Sequence, residues 1–213
     1  VTTDSSDNIY VTGDTGGGLD GNTSSGKQDI FLIKYNSSGT KQWTKQLSNS
    51  SNEQVFGVAT DSSGNIYVTG TTMGNLDGNT FCYCNDIFLI KYNSSGTKQW
   101  TKQLRTSSVD YGRGVTTDSS DNIYVTGYTY GGLDGNTNSG KNDIFLIKYN
   151  SSGTKQWTKQ LGTSTFDAAY GVTTDSSGNI YVTGGTGGGL DGNTSSGSGD
   201  IFIVKYDSSG IKQ

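Results

Sequence analysis

Apolar residues along this chain come in short, dense runs separated by polar turn sequences. The stretch 55–104 holds four such runs in succession. Val55–Thr60 and Asn65–Gly70 are rich in β-branched and aromatic residues, which suit a pleated, half-buried strand. Between them stands Asp61-Ser62-Ser63-Gly64. An Asp that can bond its own backbone and a Gly that can take positive φ predict a hairpin turn there. Asp86–Tyr92 reads Asp-Ile-Phe-Leu-Ile-Lys-Tyr, apolar on consecutive residues, so it predicts a strand covered on both faces. Lys98–Leu104 alternates Trp100 with Lys and Gln, as a strand with one wet side does, and Asn93-Ser94-Ser95-Gly96 turns the chain into it. No segment keeps helical periodicity over several turns, and no helix is predicted.

The same four-segment phrase returns at a fixed interval. Val1, Val58, Val115 and Val172 open near-identical copies 57 residues apart, with no insertion or deletion between them. Asp7 and Asp121 stand where Gly64 supplies positive φ, and Asp tolerates the left-handed region better than most residues. One four-stranded antiparallel unit, apolar on both faces of its third strand, cannot bury itself alone; radial stacking of copies can. The predicted fold class is all-β, a β-propeller of four-stranded antiparallel blades. The repeats 1–57, 58–114, 115–171 and 172–213 form a single domain or part of a larger propeller. The fourth copy stops before its Trp-Thr-Lys-Gln-Leu, so the last blade is expected to be incomplete. The sequence has no Pro, as suits paired strands.

Composition narrows the function classes. The chain is polar, with 30% hydrophobic residues, 33 Gly and a net charge of −4, yet its apolar residues are concentrated in the runs, which argues for order. No Lys/Arg cluster is present to neutralise phosphates, so no nucleic-acid partner is expected. No apolar stretch approaches the roughly 18–20 residues of a spanning helix, so no membrane insertion is expected. The sequence has no His, the commonest general base, and neither a nucleophile elbow nor a phosphate loop. The chain is therefore read as non-enzymatic, and a hydrolase or lyase using paired carboxylates is the weakest reading. Cys82 and Cys84 occur in one copy only. Cysteines two apart rarely reach disulfide geometry, so the pair is read as local drift, with a link to another chain or a metal as alternatives. The chain has neither an initiator Met nor a secretion signal, and Val1 is expected not to be the native start.

Propeller topology sorts the loops. The first-to-second and third-to-fourth turns share one face and hardly vary among copies. The second-to-third loops and the blade connections share the other face and hold nearly all the variation, as in Ser48–Phe56, Arg105–Arg113 and Gly162–Tyr170. Binding residues concentrate on long loops of a rigid scaffold, so this face is the expected ligand surface. Its aromatics Phe81, Tyr83, Tyr111, Tyr128, Tyr130, Phe166 and Tyr170 are candidates for stacking on sugar rings or anchoring a protein; the alternative is that they cap the core. Each long loop also carries Leu-Asp-Gly-Asn-Thr followed by an Asp. Oxygen donors at alternate positions suit calcium, which makes Asp20, Asn22 and Asp29 a candidate set. Its equivalents are Asp77, Asn79 and Asp86; Asp134, Asn136 and Asp143; and Asp191, Asn193 and Asp200. Asx-turns with Leu19 plugging the core are the other reading of the same residues. Trp43, Trp100 and Trp157 share one blade position and are read as packing.

The strings Gly-Val-Ala-Thr-Asp-Ser-Ser-Gly-Asn-Ile-Tyr-Val-Thr-Gly (57–70) and Asp-Ile-Phe-Leu-Ile-Lys-Tyr-Asn-Ser-Ser-Gly-Thr (86–97) resemble the bacterial SBBP-type β-propeller repeat. They are more distantly similar to NHL-type blades. The resemblance covers essentially the whole chain, though such propellers usually have more than four blades. It implies a secreted or surface-exposed bacterial protein and offers no catalytic residues. The expected function is an extracellular or cell-surface binding or adhesion module for a protein or carbohydrate ligand. The alternative is a structural subunit of a surface assembly or filament, self-associating by strand exchange at the incomplete fourth blade.

Overall fold

The computed structural model describes residues 1–47, 49–80 and 84–213, and they form four antiparallel sheets in chain order. The first contains β1 (Thr2–Thr3), β2 (Ile9–Thr15), β3 (Asp29–Tyr35) and β4 (Lys41–Leu47). The second contains β5 (Glu53–Thr60), β6 (Ile66–Thr72), β7 (Asp86–Tyr92) and β8 (Lys98–Leu104). The third contains β9 (Asp110–Thr117), β10 (Ile123–Thr129), β11 (Asp143–Tyr149) and β12 (Lys155–Leu161). The fourth has only three strands, β13 (Asp167–Thr174), β14 (Ile180–Thr186) and β15 (Asp200–Tyr206). Within every sheet, neighbours in sequence are neighbours in space, and β1, β5, β9 and β13 lie side by side as an inner row.

The turns form as their residues dictate. Asp61 Oδ1 accepts hydrogen bonds from the Ser63 and Asn65 amides, and its Oδ2 accepts from Asn65 Nδ2 and from the buried Tyr67 hydroxyl at 2.8 Å. Asp4, Asp118 and Asp175 repeat this knot. Asp7 and Asp121 sit at φ 59° and 60°, the left-handed conformation expected of them. Two details differ from the sequence reading. β5 begins at Glu53 rather than Val55, because Glu53 and Gln54 pair with Thr72 and Thr71 of β6; the Glu53 amide also donates to the Gln28 carbonyl of the preceding blade. Single 3-10 turns form at Leu133–Gly135 and Leu190–Gly192, where no helix was expected; each is one turn around an Asp with positive φ.

Sheets pack face to face through three apolar clusters. Between the first and second sheets, Tyr10, Ile30 and Leu32 meet Ile66, Val68, Phe88, Ile90 and Tyr92. Between the second and third, Tyr67, Ile87 and Leu89 meet Ile123, Val125, Phe145, Ile147 and Tyr149. The third and fourth sheets repeat the arrangement. Each fully buried aliphatic or aromatic side chain contributes about 1.5–3 kcal/mol, so these junctions dominate the stability. The run Ile87–Ile90 is buried on both faces, as its unbroken apolar pattern requires. Trp43, Trp100 and Trp157 pack against the clusters, each 6.1 Å from a core Tyr ring. The stack is open at both ends: Ile201 and Ile203 of β15 are 93% and 72% exposed, while Phe31 and Ile33 of β3 are only half-buried.

Candidate functional site

The innermost strands carry the feature that breaks the repeat. β5, β9 and β13 each have a β-bulge at the same blade position, leaving Phe56, Arg113 and Tyr170 unpaired in their ladders. A bulge re-aims the side chain of the extra residue, and here three copies place three different residues there. The strands beside the bulge approach closely: a Cβ on Gly127 would lie 1.8 Å from the Tyr111 carbonyl oxygen, so only Gly fits. The equivalent Gly70 and Gly184 face the same constraint, at 2.0 Å.

Arg113 organises an aromatic cluster. Its guanidinium lies 3.9 Å from the Phe56 ring centre, 5.2 Å from that of Tyr111 and 5.3 Å from that of Tyr128. Cation–π attraction of about 0.5–2 kcal/mol per ring favours this arrangement. Nη2 donates to the Tyr128 hydroxyl at 2.9 Å, and Asn85 Nδ2 donates to the Tyr111 hydroxyl at 2.9 Å. The Tyr111 and Tyr128 rings are 4.8 Å apart, and Tyr130 packs on Tyr128 at 6.2 Å. Phe56 and Tyr130 remain about two-fifths exposed, at 39% and 41%. Burial, then Tyr128 and Tyr111, push the Tyr130 phenol above its ordinary range. The result is a rigid, amphipathic patch with a cation at its centre, well suited to contact and without a nucleophile–base pair.

Sequence reasoning named part of this patch. Tyr111, Tyr128 and Tyr130 do come together. Phe166 and Tyr170 lie elsewhere, lining a cleft of about 560 Å³ with Lys141, Thr165 and Ile201; the Lys141 ammonium sits 4.3 Å from the Phe166 ring centre. Phe81 and Tyr83 lie outside the described residues. Arg113, Phe56, Asn85 and Lys141 were not named. Phe56 and Arg113 end two of the variable segments, and the signal was that this position reads Phe, Arg and Tyr in successive copies just before a constant Gly-Val.

The acidic loop residues divide into two groups. Asp20 pairs with Lys41 Nζ at 2.6 Å and accepts from Thr44 Oγ1. Asp77 is held by Lys98 and Thr101, Asp134 by Lys155 and Thr158, and Asp191 by Lys212. Asn22, Asn79, Asn136 and Asn193 donate through Nδ2 to the carbonyls of Leu19, Leu76, Leu133 and Leu190, which closes the turn. Asp29, Asp86 and Asp143 are instead buried and accept from Gln46, Gln103 and Gln160 at 2.8–3.0 Å. Asp200 accepts from Ser196. A calcium ion at Asp20 would have to displace an ammonium group, and among the described residues no three His, Cys, Asp or Glu side chains gather. Cys84 is disulfide-bonded, against the expectation that cysteines at this spacing are local drift and rarely reach disulfide geometry; Cys82 lies outside the described residues.

Four stacked antiparallel sheets with a non-repeating patch on their inner strands define a β-propeller-type repeat protein. Its family follows from direct comparison: the SBBP beta-propeller repeat matches residues 42–77, 99–134 and 156–191, and the chain belongs to that family. It is 28% identical to an uncharacterized WD repeat-containing protein of Acanthamoeba polyphaga mimivirus, over 76% of this chain and 15% of that protein. It is 25% identical to the regulatory protein FlaEY of Caulobacter vibrioides, over 79% of this chain and 20% of that protein. The chain thus spans a fifth or less of the length of these curated relatives. Among solved structures, a luciferin-regenerating enzyme aligns over 99% of this chain and 57% of its own, with 14% identity and a TM-score of 0.45.

Proposed function

We propose that the chain is a non-enzymatic binding module that engages a protein or carbohydrate through the Arg113 patch, outside the cell or on its surface. The observation that carries this reading is the break in repeat symmetry. Where packing governs, the copies are nearly identical. Phe56, Arg113, Tyr111, Tyr128 and Tyr130 instead form a half-exposed cluster that has no counterpart in the other copies. Rigid aromatics around an Arg are the composition of binding hot spots. The guanidinium keeps donors beyond its bond to Tyr128, which favours ligands bearing carboxylates. The absence of His from the sequence supports a binding role over catalysis. The disulfide at Cys84 supports an oxidising, extracytoplasmic setting.

The test is binding of the purified chain to an array of neutral and acidic oligosaccharides and to a panel of immobilised extracellular-matrix proteins, beside R113A and Y128A. The reading expects saturable binding to at least one probe and a loss of about tenfold or more in R113A, the effect of truncating a hot-spot residue. Wild-type binding matched by both variants, or no binding to any probe, overturns it.

A further inference from the structure

We propose that the groove between the outer strands of the second and third sheets binds a carboxylated sugar unit, and that matching positions at the neighbouring junctions let one acidic polysaccharide occupy several grooves. The groove lies between two internal sheets and encloses about 370 Å³, a volume within the range of small-molecule pockets. One wall is Asn79 with Lys102 and Leu104 of β8. The other is Tyr149 at the end of β11, Thr154 in the turn and Lys155 at the start of β12. Tyr149 is 2% exposed, and its hydroxyl is buried without a hydrogen-bond partner. An unpaired buried hydroxyl is costly, so an acceptor seated against Tyr149 gains affinity. Burial, then the Asp134 charge, hold this phenol well above its ordinary range, so it remains a donor throughout the neutral range.

Lys102 supplies the charge that selects an anion. Its ammonium lies 5.8 Å from the Trp100 ring centre and has no acidic partner among the described residues. Lys155 is already paired with Asp134, which leaves Lys102 as the uncompensated charge of the groove. A singly charged carboxylate fits that balance, and its two oxygens suit an ammonium and a phenol as donors. Asn79 and Thr154 are neutral polar groups for ring hydroxyls, and the half-buried Leu104 offers an apolar surface for the CH face of a sugar. The arrangement recurs along the stack. Lys45, Lys102 and Lys159 reach across their junctions alike, each with Cε 2.7–3.1 Å from where a Cβ on Gly96, Gly153 or Gly210 would stand. Tyr92 and Tyr206 occupy the place of Tyr149, are 4% and 5% exposed, and have phenols that burial raises as well. Several such grooves on one polymer strengthen binding through avidity. These grooves are separate from the Arg113 patch, which lies on the inner strands.

The test is calorimetric titration of the purified chain with a long oligogalacturonate, a neutral dextran and a dextran sulfate. The variants are K45Q/K102Q, Y149F and the charge-matched control K27Q/K205Q, with circular dichroism as the check on folding. The expected result is saturable binding of the oligogalacturonate in preference to both dextrans. K45Q/K102Q should weaken it about tenfold or more, Y149F should weaken it less, and the control should match the wild type. Y149F should also melt no lower than the wild type, because it removes a hydroxyl that has no partner. A lower melting temperature reveals such a partner and overturns the site. No binding of the oligogalacturonate, equal binding of dextran sulfate, or an equal loss in the control overturns the proposal as well. So does binding that survives both K45Q/K102Q and Y149F, which would place the ligand at another site such as the Arg113 patch.

Discussion

Glu53→Gln should raise stability at alkaline pH and leave it nearly unchanged in mild acid. Glu53 opens β5 fully buried, and Oε1 accepts from Thr72 Oγ1 at 2.9 Å. Burial pushes its carboxyl from 4.5 up to about 7; hydrogen bonding to Thr72 and Asn49 opposes the rise and the nearby Asp29 adds to it. Because the folded-state pKa is raised, the native state holds a proton that the unfolded chain has released between pH 4.5 and about 7. Stability from this group is thus fully present below 4.5 and is lost as pH rises through about 7. At about 1.4 kcal/mol per unit the whole shift corresponds to about 3 kcal/mol, an upper value because buried sites relax on ionisation. Gln keeps the shape and the Thr72 bond and never ionises. Urea unfolding at about pH 5 and about pH 8 should give similar midpoints in acid and a variant more stable by about 2 kcal/mol in base. A difference that is the same at both pH values, or a variant less stable at about pH 8, refutes the burial argument.

The turn glycines offer a paired comparison. Gly96 and Gly39 share positive φ, at 77° and 78°, but a Cβ on Gly96 would meet Lys45 at 2.7 Å and Trp43 at 3.1 Å, whereas Gly39 is open. G39A should cost only the backbone penalty of about 1–2 kcal/mol. G96A should lose about 1 kcal/mol more in urea unfolding, through displacement of the Trp43 contact. Equal losses would show that the indole does not seat on the turn.

Much of the fold is legible in the sequence because the physics that builds it is local. Asp61-Ser62-Ser63-Gly64 closes on its own backbone, and the unbroken run Ile87–Ile90 has no solvent face to show. The pairing of Asp20 with Lys41 is not legible, because it joins a loop to a strand 21 residues away and depends on Asp20 standing at φ 50°. Glu53 falls in a segment that varies among copies and so reads as loop; its pairing with Thr72 of β6 makes it strand. Arg113 looks like one charge in a variable stretch until the copies are aligned. Only the bulge shows that it points away from the ladder, into the rings of Phe56, Tyr111 and Tyr128.

The central structural claim is that place in the stack, not local sequence, decides what each side chain contributes. Ile90 and Ile33 occupy the same position of identical strands, Asp-Ile-Phe-Leu-Ile-Lys-Tyr; the first is 0% exposed and the second is half-buried at the open end. The most direct measurement is urea unfolding of I90A and I33A. The account predicts a loss of about 2–5 kcal/mol for I90A, as for a fully buried Ile, and less than half of that for I33A. Equal losses at the two positions would contradict the face-to-face stack.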